Sequence, residues 1–327
     1  MTEFGLEVTE PETGHIPVLL AEVVDWLAPR PGRRYLDGTL GLGGHSAAIM
    51  ARADGRAELC GLDRDGDALE IAGNRLAMYD GRVHFFHRRY SEFASALDEL
   101  EWDAVDGVLI DIGVSSMQLD VADRGFSFHA DGPLDMRMNA DGSEVSARQL
   151  VNRIRVDELK RIIATYGEDP QAGRIARAIV TARERQPIET TGQLAAIVEA
   201  AYPASWRARA RNHPATRTFQ AIRMAVNDEI GELEHFLDNI LGRLKPGGRL
   251  AVITFHSIED RVVKHRMRRW AQGCICPRQV DRCVCGHVPE ARVLTPKPIC
   301  PAQLELARNP RSSSAKLRVV EKLPEGA

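Results

Sequence analysis

Lysine is scarce in this chain of 327 residues. Of its 43 basic residues only six are lysine (160, 245, 264, 297, 316 and 322), and the other 37 are arginine. Arginine makes bidentate phosphate contacts, but the codon bias of a GC-rich genome produces the same surplus. Also missing is any run near the ~18 apolar residues that a membrane helix needs. Residues 1 to 29 hold six acids and no Lys or Arg, so the basic-then-apolar plan of a signal peptide is absent and a cytoplasmic protein is expected. There is no positive excess either. The net charge is −3, which taken alone argues against a nucleic-acid partner. What is present, 44% hydrophobic and 27% charged residues, excludes a disordered or fibrous chain.

The distribution of charge alters that first reading. Residues 98 to 120 carry seven acids and no Lys or Arg. Three stretches are the reverse: 200 to 227 with five arginines, 261 to 280 with six basic residues and 306 to 320 with four, none containing an acid. A single such run is often a solvated face, whereas three on one chain favour a shared phosphate-binding face.

From residue 34 short apolar runs alternate with helical periodicity: RRYLDGT, AELCGLD, RVHFF and AVDGVLID, with helices from about 44, over 65 to 79 and over 91 to 100. The pattern predicts a βαβ series with a parallel sheet. The next strand, GGRLAVITF at 247 to 255, lies more than 130 residues beyond Asp111, too far for an ordinary crossover. VDELKRIIATYG, GRIARAIVTARE and TTGQLAAIVEAAYP fill the gap with capped helices. Residues 118 to 212 are therefore expected to form an inserted helical subdomain for substrate recognition, and 1 to 117 with 213 to 327 a discontinuous core. Phe219, Ile222, Val226, Ile230, Leu233, Leu237, Ile240 and Leu244 read as one long helix on the sheet. KLRVVEKL at 316 to 323 is expected to close the sheet edge.

Directly after the first strand, DGTLGLGGHS at 37 to 46 forms a glycine-rich turn into a helix. Gly41 and Gly43 fit GxGxxG, but Ser46 takes the third glycine position. Asp63, twenty residues after Gly43, ends the second strand where a carboxylate accepts ribose hydroxyls. Nicotinamide dinucleotides and S-adenosylmethionine share this geometry. Asp37 inside the loop would repel a pyrophosphate and suit a sulfonium or an ammonium, and Asp111 adds a second negative group at the same sheet edge.

These blocks, with HIPVLLAEVVDWL at 15 to 27, DIGVSSMQLD at 111 to 120, GPLDMRM at 132 to 138, HPATRTFQAIRMAVNDE at 213 to 229, FHSIEDR at 255 to 261 and NPRSSSAKLR at 309 to 318, resemble the bacterial 16S rRNA cytosine N4-methyltransferase family (MraW or RsmH) over nearly the whole chain. The resemblance implies a Rossmann-like class I S-adenosylmethionine methyltransferase core, α/β in class, with the helical insertion. Its implied reaction is methyl transfer to N4 of a decoding-centre (P-site) cytidine of 16S rRNA, within the small ribosomal subunit. It also implies cofactor contacts at Gly43, Gly44, His45, Asp63, Tyr90, Asp111 and Gln118.

An exocyclic cytosine amine is a weak nucleophile whose lone pair is delocalised into the ring, so the site must orient it and accept its proton. Candidate acceptors are Asp135, His256 and Ser257, each of which could instead serve as a turn or helix cap. Phe126, Phe128 and Phe255 could receive an unstacked base. Arg217, Arg223, Arg261 and Arg311 are candidate RNA-backbone contacts. Cys274, Cys276, Cys283 and Cys285 form two C-x-C pairs. They could hold a structural, non-catalytic zinc or remain reduced thiols, because zinc pairs usually read C-x2-C. Two other functions keep part of these features. An NAD-dependent oxidoreductase would share the loop and Asp63, and a non-catalytic RNA-binding assembly protein would share the arginines.

Overall fold

The computed structural model describes residues 16–139, 144–207, 212–277 and 282–324. Its sheet comprises β1 (Arg34–Asp37), β2 (Glu58–Asp63), β3 (Val83–His87), β4 (Val105–Asp111), β5 (Leu244–Thr254), β6 (Ala291–Val293) and β7 (Lys316–Lys322), in the order β3-β2-β1-β4-β5-β7-β6. The first five strands are parallel, and β7 pairs antiparallel with both β5 and β6. Apolar runs such as Val108-Leu109-Ile110 suit a sheet covered on both faces. One face buries Ile49, Met50, Leu59, Leu109 and Ile253, and the other Phe93, Leu97, Ile110, Phe236 and Val263. The architecture is Rossmann-like and doubly wound. The chain winds from β1 toward β3, then returns to β4 on the other side of β1, so the switch point lies between the carboxyl ends of β1 and β4. In open α/β sheets that crevice is where ligands bind.

The interval between β4 and β5 has a separate core. Helices Ala147–Arg153, Val156–Gly167, Ala172–Arg183 and Thr191–Ala201 bury Val151, Leu159, Ile163, Ile175, Ile179, Leu194 and Val198 together. Ser146 and Thr190 begin two of these helices with capping boxes, accepting the N–H of Gln149 and Gln193. Each satisfies amide donors that a helix start leaves unpaired.

Three sequence expectations require correction. The long helix of the stripe is two helices, Ala215–Asn227 and Glu229–Asn239, broken at Asp228, which is left-handed at φ 49°. Aspartate tolerates that conformation better than most residues. The break lets Phe219 and Ile222 pack into the inserted core while Leu233, Phe236 and Leu237 pack on the sheet. The inserted core therefore extends through the first of these helices, past the boundary expected at 212. Finally, β7 is not the edge of the sheet. The short strand β6 lies outside it, undetected in the sequence because three residues carry too little pattern.

Candidate active site

A cavity of about 380 Å³ opens at the switch point, lined by the glycine loop, the carboxyl ends of β2 and β4, and the segment after β5. The loop is shaped by close approach. Gly41 has φ 51°, and its N–H donates to Asp63 Oδ2 at 2.7 Å. A Cβ on Gly44 would lie 2.4 Å from Pro17 Cγ, so Gly44 admits the N-terminal segment against the loop. His45 Nε2 contacts Val18 O at 2.9 Å, and Glu305 accepts the N–H of Leu19. Pro17, Val18 and His45 thereby become one wall of the cavity. Gly43, at φ 76°, starts the helix but does not line the cavity; a Cβ there would press on Leu76 and Ala72.

Acids dominate the floor. Asp37 is buried, with Ser46 donating to it at 2.6 Å. The serine at the third glycine position thus anchors the loop's carboxylate. Burial pushes Asp37 up to about 6, against the hydrogen bonds from Ser46 and Thr39. Asp111 is pushed up to about 8 by burial, then by Asp37 and Glu259. Its Oδ1 is buried without a hydrogen-bond partner among the described residues. A buried acceptor in that condition costs about 1–3 kcal/mol unless a ligand satisfies it. Asp63 accepts N–H groups from Gly41 and Asp65, and a carboxylate with two oxygens has lone pairs left for hydroxyls.

Gln118 is buried and donates to Asp65 at 3.0 Å. Tyr90 lines the cavity, with its ring edge on Phe236 at 5.5 Å between centroids. Burial, then Glu232 and Glu229, raise its hydroxyl well above the usual tyrosine range. Six of the seven expected cofactor residues (Gly44, His45, Asp63, Tyr90, Asp111, Gln118) therefore share this cavity, and Gly43 supports the loop from behind.

The expected catalytic residues separate. His256 lines the cavity as N-cap of the helix Ser257–Trp270. Its Nε2 lies 2.9 Å from Glu259 Oε1 but out of line for a hydrogen bond, so neither atom is satisfied. Asp135 lies outside this cavity. Its carboxylate is held by Arg137 at 2.8 and 2.9 Å and lines a different cleft, of about 500 Å³, with Ser146, Arg148 and Glu189. Ser257 does not line this cavity either. It is exposed, and its Oγ donates to Glu168 at 2.8 Å. Of the three phenylalanines only Phe255 lines the cavity. Phe126 is buried in the insertion, and Phe128 packs on His213 and Phe219 at 4.7 and 4.8 Å.

Among the arginines, Arg223 lines the cavity. Only 16% exposed, it grips Glu229 with two hydrogen bonds of 2.7 and 2.8 Å, and its guanidinium is committed to that carboxylate. Arg217, Arg261 and Arg311 are exposed. Arg217 donates to the Glu168 carbonyl and Arg261 to the Glu168 carboxylate, while Arg311 pairs with Asp120 at the cavity rim. Of these three only Arg311 lines the cavity; elsewhere in the basic windows Arg318 is neutralised inside the fold by Asp260 and Arg266 at the surface by Asp238.

Sequence reasoning missed Asp65, Glu229 and Glu259. Asp65 ties Gln118 and Arg124 to the end of β2. Glu259 is fully buried and accepts the N–H groups of Phe255 and His256. Its position three residues after His256 is a capping-box signal that was available in the sequence. Glu229 had no local signal, because its role depends on a fold that brings it to Arg223. Glu229, His256 and Glu259 converge within 4.8 Å, and the Arg223 guanidinium pairs with the Glu229 carboxylate of that cluster.

Comparison with known proteins agrees with this geometry. The chain is 70% identical over 314 residues to the ribosomal RNA small subunit methyltransferase H of Nitratidesulfovibrio vulgaris (strain Miyazaki F), covering 96% of this chain and 87% of that one. It is 64% identical over 319 residues to the protein of that name from Desulfovibrio desulfuricans, covering 98% and 97%, and 56% identical over 309 residues to that from Lawsonia intracellularis, covering 94% and 99%. Residues 12–323 match the family profile, a span that takes in every strand, the insertion and the acidic cavity: the chain belongs to the MraW methylase family.

Proposed function

We propose that this protein is an S-adenosylmethionine-dependent methyltransferase acting on N4 of a decoding-centre cytidine of 16S rRNA, in the small ribosomal subunit. The observation that carries the reading is Asp111, with a buried, unpartnered Oδ1 beside Asp37 and Glu259. That arrangement suits the positive end of S-adenosylmethionine. It opposes a pyrophosphate, which weighs against the oxidoreductase reading. The names of the relatives supply the ribosomal RNA of the small subunit as substrate class.

The cofactor supplies an electrophilic methyl group on a sulfonium sulfur. Asp63 accepts the ribose hydroxyls, while Gly44 and His45 form the wall beside the loop. Phe255 gives an apolar face at the mouth, where an unstacked base can rest. His256 Nδ1 accepts the Glu259 N–H, so Nε2 carries the ring hydrogen of the neutral imidazole and faces the buried Glu259 carboxylate; the pair positions the cytosine at the mouth, and the proton released on methylation passes to solvent. Arg311 at the rim, with the exposed Arg217 and Arg261, neutralises phosphates, which makes binding weaken as salt rises.

Incubating the protein with labelled cofactor and 30S subunits from a strain lacking the activity should place label in N4-methylcytidine, read by mass spectrometry of nucleosides. Label in any other nucleoside, or none in RNA, would overturn the substrate assignment. The acidic floor also implies a pH dependence. Because the free Asp111 carboxyl is raised to about 8, it is mostly protonated at neutral pH and must lose its proton to meet a cation. Cofactor affinity should therefore rise with pH, by about fiftyfold between pH 6 and pH 8 as the ionised fraction grows from about one in a hundred to one half. Asp111→Asn should flatten that profile and lower affinity. A wild-type profile that stays flat in calorimetry would show that this carboxylate does not face the charge.

A further inference from the structure

We propose that Cys274, Cys276, Cys283 and Cys285 bind one structural zinc ion that holds the segment between the helix Ser257–Trp270 and β6. The four sulfurs lie within 4.8 Å of one another. Cys274 and Cys283 are 3.5 Å apart, Cys283 and Cys285 3.5 Å, and Cys285 and Cys274 3.9 Å. A tetrahedral Zn–S₄ centre with bonds of about 2.3 Å has sulfur–sulfur edges of about 3.8 Å, so these separations fit around one ion.

The backbone supports the same reading. The N–H of Cys276 points at Cys274 Sγ, that of Val284 at Cys276 Sγ and that of His287 at Cys285 Sγ, at 3.4 to 3.5 Å. Three of the four sulfurs thus accept an amide hydrogen. Such contacts stabilise thiolates and orient them as ligands. Although each pair is C-x-C rather than C-x2-C, the turn brings both of its sulfurs into the cluster.

A second observation is independent of the thiols. Among its described residues the segment has almost no apolar core of its own, since Ile275, Val284 and Val288 are 47%, 81% and 52% exposed. One anchor to the body is the Glu290 N–H donated to Trp270 O at 2.7 Å. A short segment that buries so little apolar surface needs a cross-link to keep one conformation, and metal binding supplies that energy directly. The exposed Arg268 and Arg269 at the end of the preceding helix are adjacent to it, so the ion also fixes the border of one basic window.

The test uses the full-length chain, purified without a histidine tag and assayed for metal by mass spectrometry. About one zinc per chain is expected, falling to near zero in Cys283→Ser and retained in Cys300→Ser, whose thiol lies outside the cluster. Cobalt exchanged into the wild-type protein should give thiolate-to-cobalt charge-transfer bands, and a chelator should expose residues 271 to 290 to protease until zinc is restored. These two readouts do not depend on the variant folding. Wild-type protein without stoichiometric zinc, cobalt spectra lacking thiolate bands, disulfides among the four cysteines, or zinc surviving Cys283→Ser would each overturn the proposal.

Discussion

Asp63→Ala is expected to weaken S-adenosylmethionine binding by about 100-fold, measured by calorimetry, while Arg261→Ala leaves it within about threefold. Two effects combine. The substitution removes the carboxylate that the ribose hydroxyls would meet, and hydrogen bonds to a charged group are worth about 1.5–3 kcal/mol. It also releases the N–H groups of Gly41 and Asp65, and with them the restraint on a loop that must be in place before the ligand arrives. Together these amount to about 3 kcal/mol, or about two decades in affinity. Arg261 is exposed and outside the cavity, so its removal should affect RNA binding alone. Equal losses in the two variants would place the ribose site elsewhere.

Arg223→Met is expected to lower unfolding stability by about 3–5 kcal/mol in urea titration, because it leaves the Glu229 carboxylate buried without its cation. Glu229→Leu should do comparable damage from the other side. The double variant should regain much of the loss, since two apolar side chains of similar bulk leave no uncompensated charge. A phosphate-binding arginine behaves otherwise: its removal leaves stability unchanged, weakens RNA binding and makes that binding less dependent on salt. If Arg223→Met kept full stability and lost only RNA affinity, the assignment made here would fail.

Some positions were readable before any coordinates. Asp37, Asp63 and Asp111 could be aligned because each follows an apolar strand-like run, and parallel strands end at the same edge. The glycine spacing identified the loop, and the length of the gap after Asp111 identified the insertion. Arg217, Arg223, Arg261 and Arg311 look alike in the sequence. Their fates differ because Glu229 approaches one of them from a neighbouring helix, whereas Glu168 and Asp120 meet the other three at the surface. Asp135 and His256 were equally plausible as proton acceptors, and only their cavities distinguish them.

By itself the sequence determined the periodic features: a parallel sheet, a glycine turn, an acidic edge, a helical insertion and two pairs of cysteines. Those follow from local patterns, in which neighbouring residues share one strand or helix and so one environment. The tertiary structure alone decided which charges are neutralised and which remain available. A left-handed Asp228 divides one apolar stripe between two cores, and that division carries Arg223 and Glu229 into contact in the wall of the cavity. Whether a charge is paired depends on groups distant in sequence, because the energy of an ion pair is set by separation and burial rather than by chain order.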